Sequence, residues 1–286
     1  MKRAFAALLG AALMSACGQS GPSTEAASAA PEVKLYAMDC GRISLTDADV
    51  FADDGAYEDV AQELVDPCYL IRHPDGDMIW DAGLPTFVGE SEGGVDNGPF
   101  HLELDTTLPS ELAELGLTPD DIDIVSFSHS HFDHVGQVAQ FANARWIVDA
   151  DERAWMFNDE NRAAETFGLV APLETWTPTL IEGDGDYDVF GDGSVVIVQA
   201  PGHTPGHTIL KLELANAGTV LLTGDMWHIA ESQEARRVPR FNVDREQTLA
   251  SMDKVEALAA ETDATIIRQH VPADRALIPA FPEALD

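Results

Sequence analysis

Apolar residues along the chain fall mainly in short runs bounded by turn residues, a pattern that predicts strands more often than helices. Val33–Met38 forms the first run. Cys68–Arg72 and Met78–Trp80 read as the arms of a hairpin around Pro74-Asp75-Gly76-Asp77. The spacing predicts a short helix over Glu111–Leu115, and Thr118-Pro119-Asp120-Asp121 reads as a capped turn leading into a β-branched strand, Ile122–Phe127. A helix near Val135–Phe141, a strand over Arg145–Val148 and a helix around Asp151–Phe157 follow. The second half is richer in strands: Tyr187–Phe190, Ser194–Gln199, Thr208–Leu214 and Thr219–Leu222, separated by Gly-Asp and Asn-Ala-Gly turns. Asp244 to Ala260 carries apolar residues at helical spacing, and Ala264–Ile267 gives a last strand. Strand runs with interspersed helices in both halves predict an α/β architecture of two sheets with helices packed outside.

The N-terminus departs from this pattern. Met1-Lys2-Arg3, an apolar stretch from Ala4 to Met14, and Ser15-Ala16-Cys17 have the charged, apolar and small-residue regions of a secretory signal. The stretch is about half of the roughly 20 residues that a spanning helix needs, so residues 1–16 are expected to be a signal peptide and not an anchor. Met14-Ser15-Ala16-Cys17 resembles a bacterial lipoprotein box, which implies a lipid on Cys17; the alternative is an ordinary signal and a soluble periplasmic or secreted product. The Gly-, Ser-, Ala- and Pro-rich stretch up to Pro31 suits a flexible tether, leaving 32–286 as one large domain. The expected location is therefore outside the cytoplasm, with the membrane touched only through an N-terminal lipid.

Charge narrows the partners. With 50 acidic residues against 16 lysines and arginines the formal net charge is −34. Nucleic acid is excluded as a partner, because binding it rests on basic side chains neutralising phosphates. Cys40 and Cys68 fall near the strands that open the domain; buried free thiols are the commoner outcome, so two unpaired cysteines are expected, with a bridge as the alternative in an oxidising compartment.

Chemistry is concentrated directly after the Ile122–Phe127 strand, where His129-Ser130-His131-Phe132-Asp133-His134 packs three imidazoles and a carboxylate into six positions. Such density points to metal binding in a loop at a strand end. On an extended backbone His129 and His131 face the same side and can share one ion, whereas Asp133 and His134 turn the other way toward a second ion about 3.5–4 Å off. Four more elements follow strands: Gly202-His203-Thr204-Pro205-Gly206-His207, Thr223-Gly224-Asp225, Gln269-His270, and Trp80-Asp81-Ala82-Gly83. Asp225 is the natural carboxylate to bridge two ions. Mixed imidazole and carboxylate donors fit zinc, iron, cobalt or manganese better than calcium or magnesium.

Together these segments resemble the metallo-β-lactamase superfamily, and within it the N-acyl-homoserine lactonases. The resemblance implies the αββα sandwich, two divalent ions, zinc foremost, and a homodimer, which that family often forms. By motif position His129, His131 and His203 would bind the first ion, Asp133, His134 and His270 the second, with Asp225 bridging. His207 would support from behind or pack, and Asp81 would orient a ligand histidine. The better-known lactonases carry Tyr three residues after the bridging Asp; this chain has His228, which either donates to the substrate carbonyl or walls the pocket.

The expected reaction is hydrolysis of a neutral lactone, with Asp133 passing the proton and His228 as second catalytic candidate. Antibiotic-hydrolysing relatives place Cys or Ser where Asp225 stands, and glyoxalase II grips an anionic thioester that an acidic protein repels. The rival is a broad metallo-esterase or organophosphate hydrolase of the same fold. Phe87, Val88, Phe100, Leu102, Trp227 and Phe241 are candidates to line an acyl channel.

Overall fold

A computed structural model describes Met1 and residues 32–286. The signal, Cys17 and the tether lie outside the described residues. The first sheet has eight strands: β1 (Lys34–Leu45), β2 (Gln62–His73), β3 (Gly76–Trp80), β4 (Val95–Asn97), β5 (Phe100–Glu103), β6 (Ile124–Ser126), β7 (Arg145–Asp149) and β8 (Thr179–Ile181). Their spatial order is β4-β5-β1-β2-β3-β6-β7-β8. The second has five: β9 (Tyr187–Asp188), β10 (Val195–Gln199), β11 (Thr208–Leu214), β12 (Gly218–Leu222) and β13 (Thr265–Ile267), in the order β13-β12-β11-β10-β9.

Alternation along the strands explains the layers. Leu35, Tyr69, Ile71, Met78 and Trp80 of the first sheet meet Ile197, Leu210, Leu212, Val220 and Leu222 of the second in one core. The other faces take helices. Met38, Leu70, Ile79 and Val125 pack under Leu108 and Leu112 of the helix Leu108–Glu114. Val198, Ile209 and Leu221 pack against Met252 and Val255 of the helix Arg245–Thr262. The result is two sheets with helices outside, as the patterning predicted, in the αββα sandwich that the resemblance implied.

Three local expectations change. β1 and β2 extend well beyond their apolar runs, because they pair antiparallel along most of their length and the pairing, not apolarity, defines their ends. The helix expected near Val135–Phe141 is broken into the turn Phe132–Val135 and a 3-10 turn Val138–Phe141. Gly83 O accepts from the Gly136 amide at 2.9 Å and Ala82 O from the Gln137 amide at 3.1 Å, so the loop after β3 captures the donors that would have continued the helix. A Cβ on Gly136 would stand 2.3 Å from Gly83 O, hence only glycine fits that approach.

Cys40 and Cys68 form a disulfide with Cα atoms 5.6 Å apart, correcting the expectation of two free thiols. β1 and β2 are neighbours in the sheet; Cys68 is registered with Met38, and Cys40 lies two residues further along β1, in the register shift between Asp39 and Arg42. Spacing alone carried no information on that adjacency.

Candidate metal centre

All the proposed ligand segments converge at one edge of the sandwich. The loop after β6 supplies His129 and His131, and the helical turn Phe132–Val135 then swings Asp133 and His134 the other way. His203 comes from the loop between β10 and β11, Asp225 from the turn after β12, and His270 from the loop after β13. Strand ends converge because neighbouring strands in register end at one rim, where loops display side chains.

The ligand-type atoms fall into two groups, His129, His131, His203 and Asp225 in one and Asp133, His134 and His270 in the other, each within 4.8 Å and all buried except the half-buried His131. His131 Nδ1 lies 2.8 Å from His129 Nε2 and 3.1 Å from His203 Nε2. Asp225 divides its oxygens between the groups. Oδ2 is 3.5 Å from both His129 Nε2 and His203 Nε2, whereas Oδ1 is 3.1 Å from His134 Nε2 and 2.9 Å from His270 Nε2. Asp133 Oδ2, 3.8 Å from His270 Nε2, completes the second group.

Donor chemistry fits two divalent ions. His134 Nε2 and Asp225 Oδ1 are buried without a hydrogen-bond partner among the described residues, a state that costs free energy unless a cation satisfies it. Burial, with neighbouring imidazoles, pushes His129 and His131 well below the usual range, which keeps the neutral lone pair that coordination uses. Burial opposes charge on Asp225 too, but His228, His134 and His270 outweigh it and hold the carboxyl well below its ordinary value. Burial likewise lowers His270, but Asp225 and Asp133 outweigh it and raise this imidazole to about 9.

The supporting residues separate the alternatives left by the sequence. Asp81 lies where an orienting carboxylate would: its Oδ1 accepts from the Ser128 amide at 2.7 Å, and its Oδ2 stands 3.2 Å from His134 Nδ1. It does so from the left-handed region, φ +58°, where Asp is among the few tolerated residues. His207 is hydrogen-bonded through both ring nitrogens behind the Asp225 turn. Its Nδ1 donates to Ala200 O at 3.0 Å, so its Nε2 accepts from the Asp225 amide at 3.2 Å; burial lowers its pKa to about 3 and keeps that tautomer neutral. Gly224, at φ +49°, lets this turn pass Ser128, whose Cβ would lie 2.6 Å from an added methyl.

Sequence reasoning missed two buried carboxylates. Glu152, on the helix Ala150–Met156, accepts from the Ser130 amide at 2.7 Å, Ser130 Oγ at 2.6 Å, Thr204 Oγ1 at 2.6 Å and the Gly206 amide at 3.2 Å. It thus clasps the two loops that carry His129, His131 and His203. Burial raises its carboxyl against the pull of these donors. No local signal marks Glu152 as special. Asp66 on β2 did have one, as a charge inside the apolar run Leu64–Ile71; it is 1% exposed and neither oxygen has a partner among the described residues.

A cavity of about 310 Å³ opens over the centre. His131, Asp133, Asp225, His228 and His270 form its polar floor, and Ile43, Phe51, Leu64, Phe100, Phe132 and Phe241 its apolar wall, with no Lys or Arg among the lining residues. Of the acyl-channel candidates, Phe100 and Phe241 are in place. Val88 and Leu102 are instead core beneath the β4–β5 edge, and Phe87 stands half exposed on a neighbouring groove. Trp227 is core as well: it is extended, φ −143° and ψ 114°, so it and His228 project to opposite sides. His228 Nε2 lies 2.9 Å from Asp225 Oδ2 and its ring stacks on Phe51 at 4.6 Å.

This fold and site define a class. The family model described as "Metallo-beta-lactamase superfamily" matches residues 63–270, and the chain belongs to that superfamily. Within it the chain is similar to the N-acyl homoserine lactonase AttM of Rhizobium radiobacter, 29% identical over 249 residues, covering 84% of this chain and 94% of that protein. It is also 29% identical to the N-acyl homoserine lactonase AiiA of Bacillus thuringiensis subsp. kurstaki over 257 residues, covering 87% and 98%. The solved N-acyl homoserine lactone hydrolase with the product N-hexanoyl-L-homoserine at its catalytic metal centre superposes with a TM-score of 0.74 at 28% identity, over 88% of this chain and 98% of that one.

Proposed function

We propose that the protein is a dinuclear metal-dependent hydrolase that opens the lactone ring of N-acyl-homoserine lactones. The observation that carries this reading is Asp225, whose two oxygens face the two ligand groups at the floor of an apolar cavity with no cationic side chain. Absence of Lys and Arg from that lining disfavours anionic thioesters and phosphates and suits a neutral acyl lactone. The relatives named lactonases support the same assignment.

His129, His131 and His203 would hold one ion, Asp133, His134 and His270 the other, and Asp225 both. Such a pair supplies Lewis acidity and a hydroxide nucleophile at neutral pH. The mixed nitrogen and oxygen donors favour zinc, with iron, cobalt or manganese as the alternatives that metal analysis distinguishes. Asp133 is the more exposed of the two carboxylates that line the cavity; it takes the proton released as water adds to the ring carbonyl and delivers it to the departing ring oxygen. His228 Nε2 faces Asp225 Oδ2 at 2.9 Å; with that carboxylate engaged by the ions, the same N–H would turn to the carbonyl oxygen as charge develops there. Phe51, Phe100 and Phe241 receive the acyl chain.

We place the enzyme outside the cytoplasm, tethered through Cys17. The Met14-Ser15-Ala16-Cys17 sequence and the Cys40–Cys68 disulfide both suit that compartment. Metal-loaded protein is to be offered acyl-homoserine lactones, a nitrophenyl ester and a phosphotriester. Ring-opened acyl-homoserine as the fastest product is expected; faster turnover of the ester or phosphotriester refutes the lactonase assignment.

A further inference from the structure

Asp66 is a carboxylate with nothing to hold. It is 1% exposed, and both oxygens lack a hydrogen-bond partner among the described residues. Its position is nevertheless well fixed. Val65 O accepts from His270 Nδ1 at 2.9 Å and Pro67 O from Gln269 Nε2 at 2.7 Å, so Asp66 is clamped between the two anchors of the His270 loop. Gln269 Oε1 beside it is also buried without a partner among the described residues. Burial, and after it Asp133, push the Asp66 carboxyl well above its ordinary range, His270 and His134 pull it down, and Asp81 adds to the rise. Three of these residues form the second ligand group, and the fourth, Asp81, stands behind His134.

A buried carboxylate without donors is unfavourable and is tolerated only where another interaction offsets it. Two divalent ions would bring four positive charges against three carboxylates, Asp133, Asp225 and, behind His134, Asp81, so one further negative charge close behind the ligands balances the excess. Resting on the two-ion reading above, we propose that Asp66 is a positioning and charge-balancing residue for the second ion, raising the affinity of the Asp133–His134–His270 group without coordinating. Its role is electrostatic, exerted through the ligands it stands behind.

The inference is tested by titrating chelator-stripped protein with Zn²⁺, reading stoichiometry by elemental analysis, affinity by chelator competition and thermal midpoints with and without the ion. Wild type is expected to take two equivalents. Asp66→Asn and Asp66→Leu should retain one at wild-type affinity and bind the other about 10- to 100-fold more weakly. Stripped Asp66→Leu should melt above stripped wild type, since an uncompensated buried carboxylate has been removed, and zinc should raise its midpoint by less. Two equivalents bound by both variants at wild-type affinity overturn the proposal. So do lowered midpoints with unchanged affinity, which would make Asp66 a packing residue. Wild type binding fewer than two equivalents overturns the two-ion reading itself, and the role of Asp66 with it.

Discussion

Besides Asp81, two buried carboxylates stand behind the two halves of the centre, and they are opposites. Glu152 behind His129, His131 and His203 receives four hydrogen bonds from two loops; Asp66 behind Asp133, His134 and His270 receives none among the described residues. One half is held in shape by hydrogen bonds already formed, which fixes ligand geometry before any ion arrives. The other carries stored unfavourable electrostatics that a cation relieves. The contrast teaches that burial alone does not define a carboxylate's role; the donors around it do.

The largest effect should come from cutting the tie between the halves. Asp225→Ala is expected to reduce lactone turnover by more than about a thousandfold, because several kcal/mol of charge stabilisation leave with the ions; elemental analysis should show loss of both equivalents, not one. Retained activity would mean that the two groups do not act as a pair.

Next comes the covalent support near Asp66. Replacing Cys40 and Cys68 with serine should cost about 3 kcal/mol of unfolding free energy, measured by denaturant titration. Zinc affinity should hold, since β1 and β2 remain paired around the bulge. A selective loss of one equivalent would show that the disulfide, and not the strand pairing, sets the position of Asp66.

Glu152→Gln matches the side chain in size but turns one accepting oxygen into a donor, so it removes the charge and leaves the Ser130 or the Gly206 amide without its acceptor. Affinity for the zinc equivalent that Asp66 variants leave untouched should fall about 10- to 100-fold. Loss of the same equivalent in both variants would break the comparison. The smallest effect is the interaction between them: in Glu152→Gln with Asp66→Asn the binding losses should add to within about 0.5 kcal/mol, as expected of separate sites without shared partners. A larger coupling would mean that Asp225 transmits strain from one half to the other.

Much of the centre could be read in advance because its density is local. His129, His131, Asp133 and His134 announce a metal within six positions, and their division into two sides follows from a change of backbone at His131, extended at φ −69° and ψ 158°, into the helical turn Phe132–Val135. The core strands were equally legible, since alternation records which face is buried. Glu152 was not: one acid among 50 acidic residues, on a helix with no distinctive neighbours, gains meaning only when Ser130 and Thr204 arrive from elsewhere. Trp227 and Leu102 were misjudged for the same reason, as apolar side chains look alike in sequence whether they line a cavity or fill a core.

The sequence by itself determined the periodicity that makes two sheets, the chemical identity of the candidate ligands and the strongly acidic charge. These properties depend on residues close together in the chain, where backbone geometry alone sets which side chains face one way. Tertiary structure decided which oxygen of Asp225 meets which histidine, that Cys40 meets Cys68, and that Glu152 is clasped while Asp66 stands unpartnered among the described residues. Those outcomes follow from strand order and register, which bring distant segments within hydrogen-bonding distance and leave no trace in the local pattern.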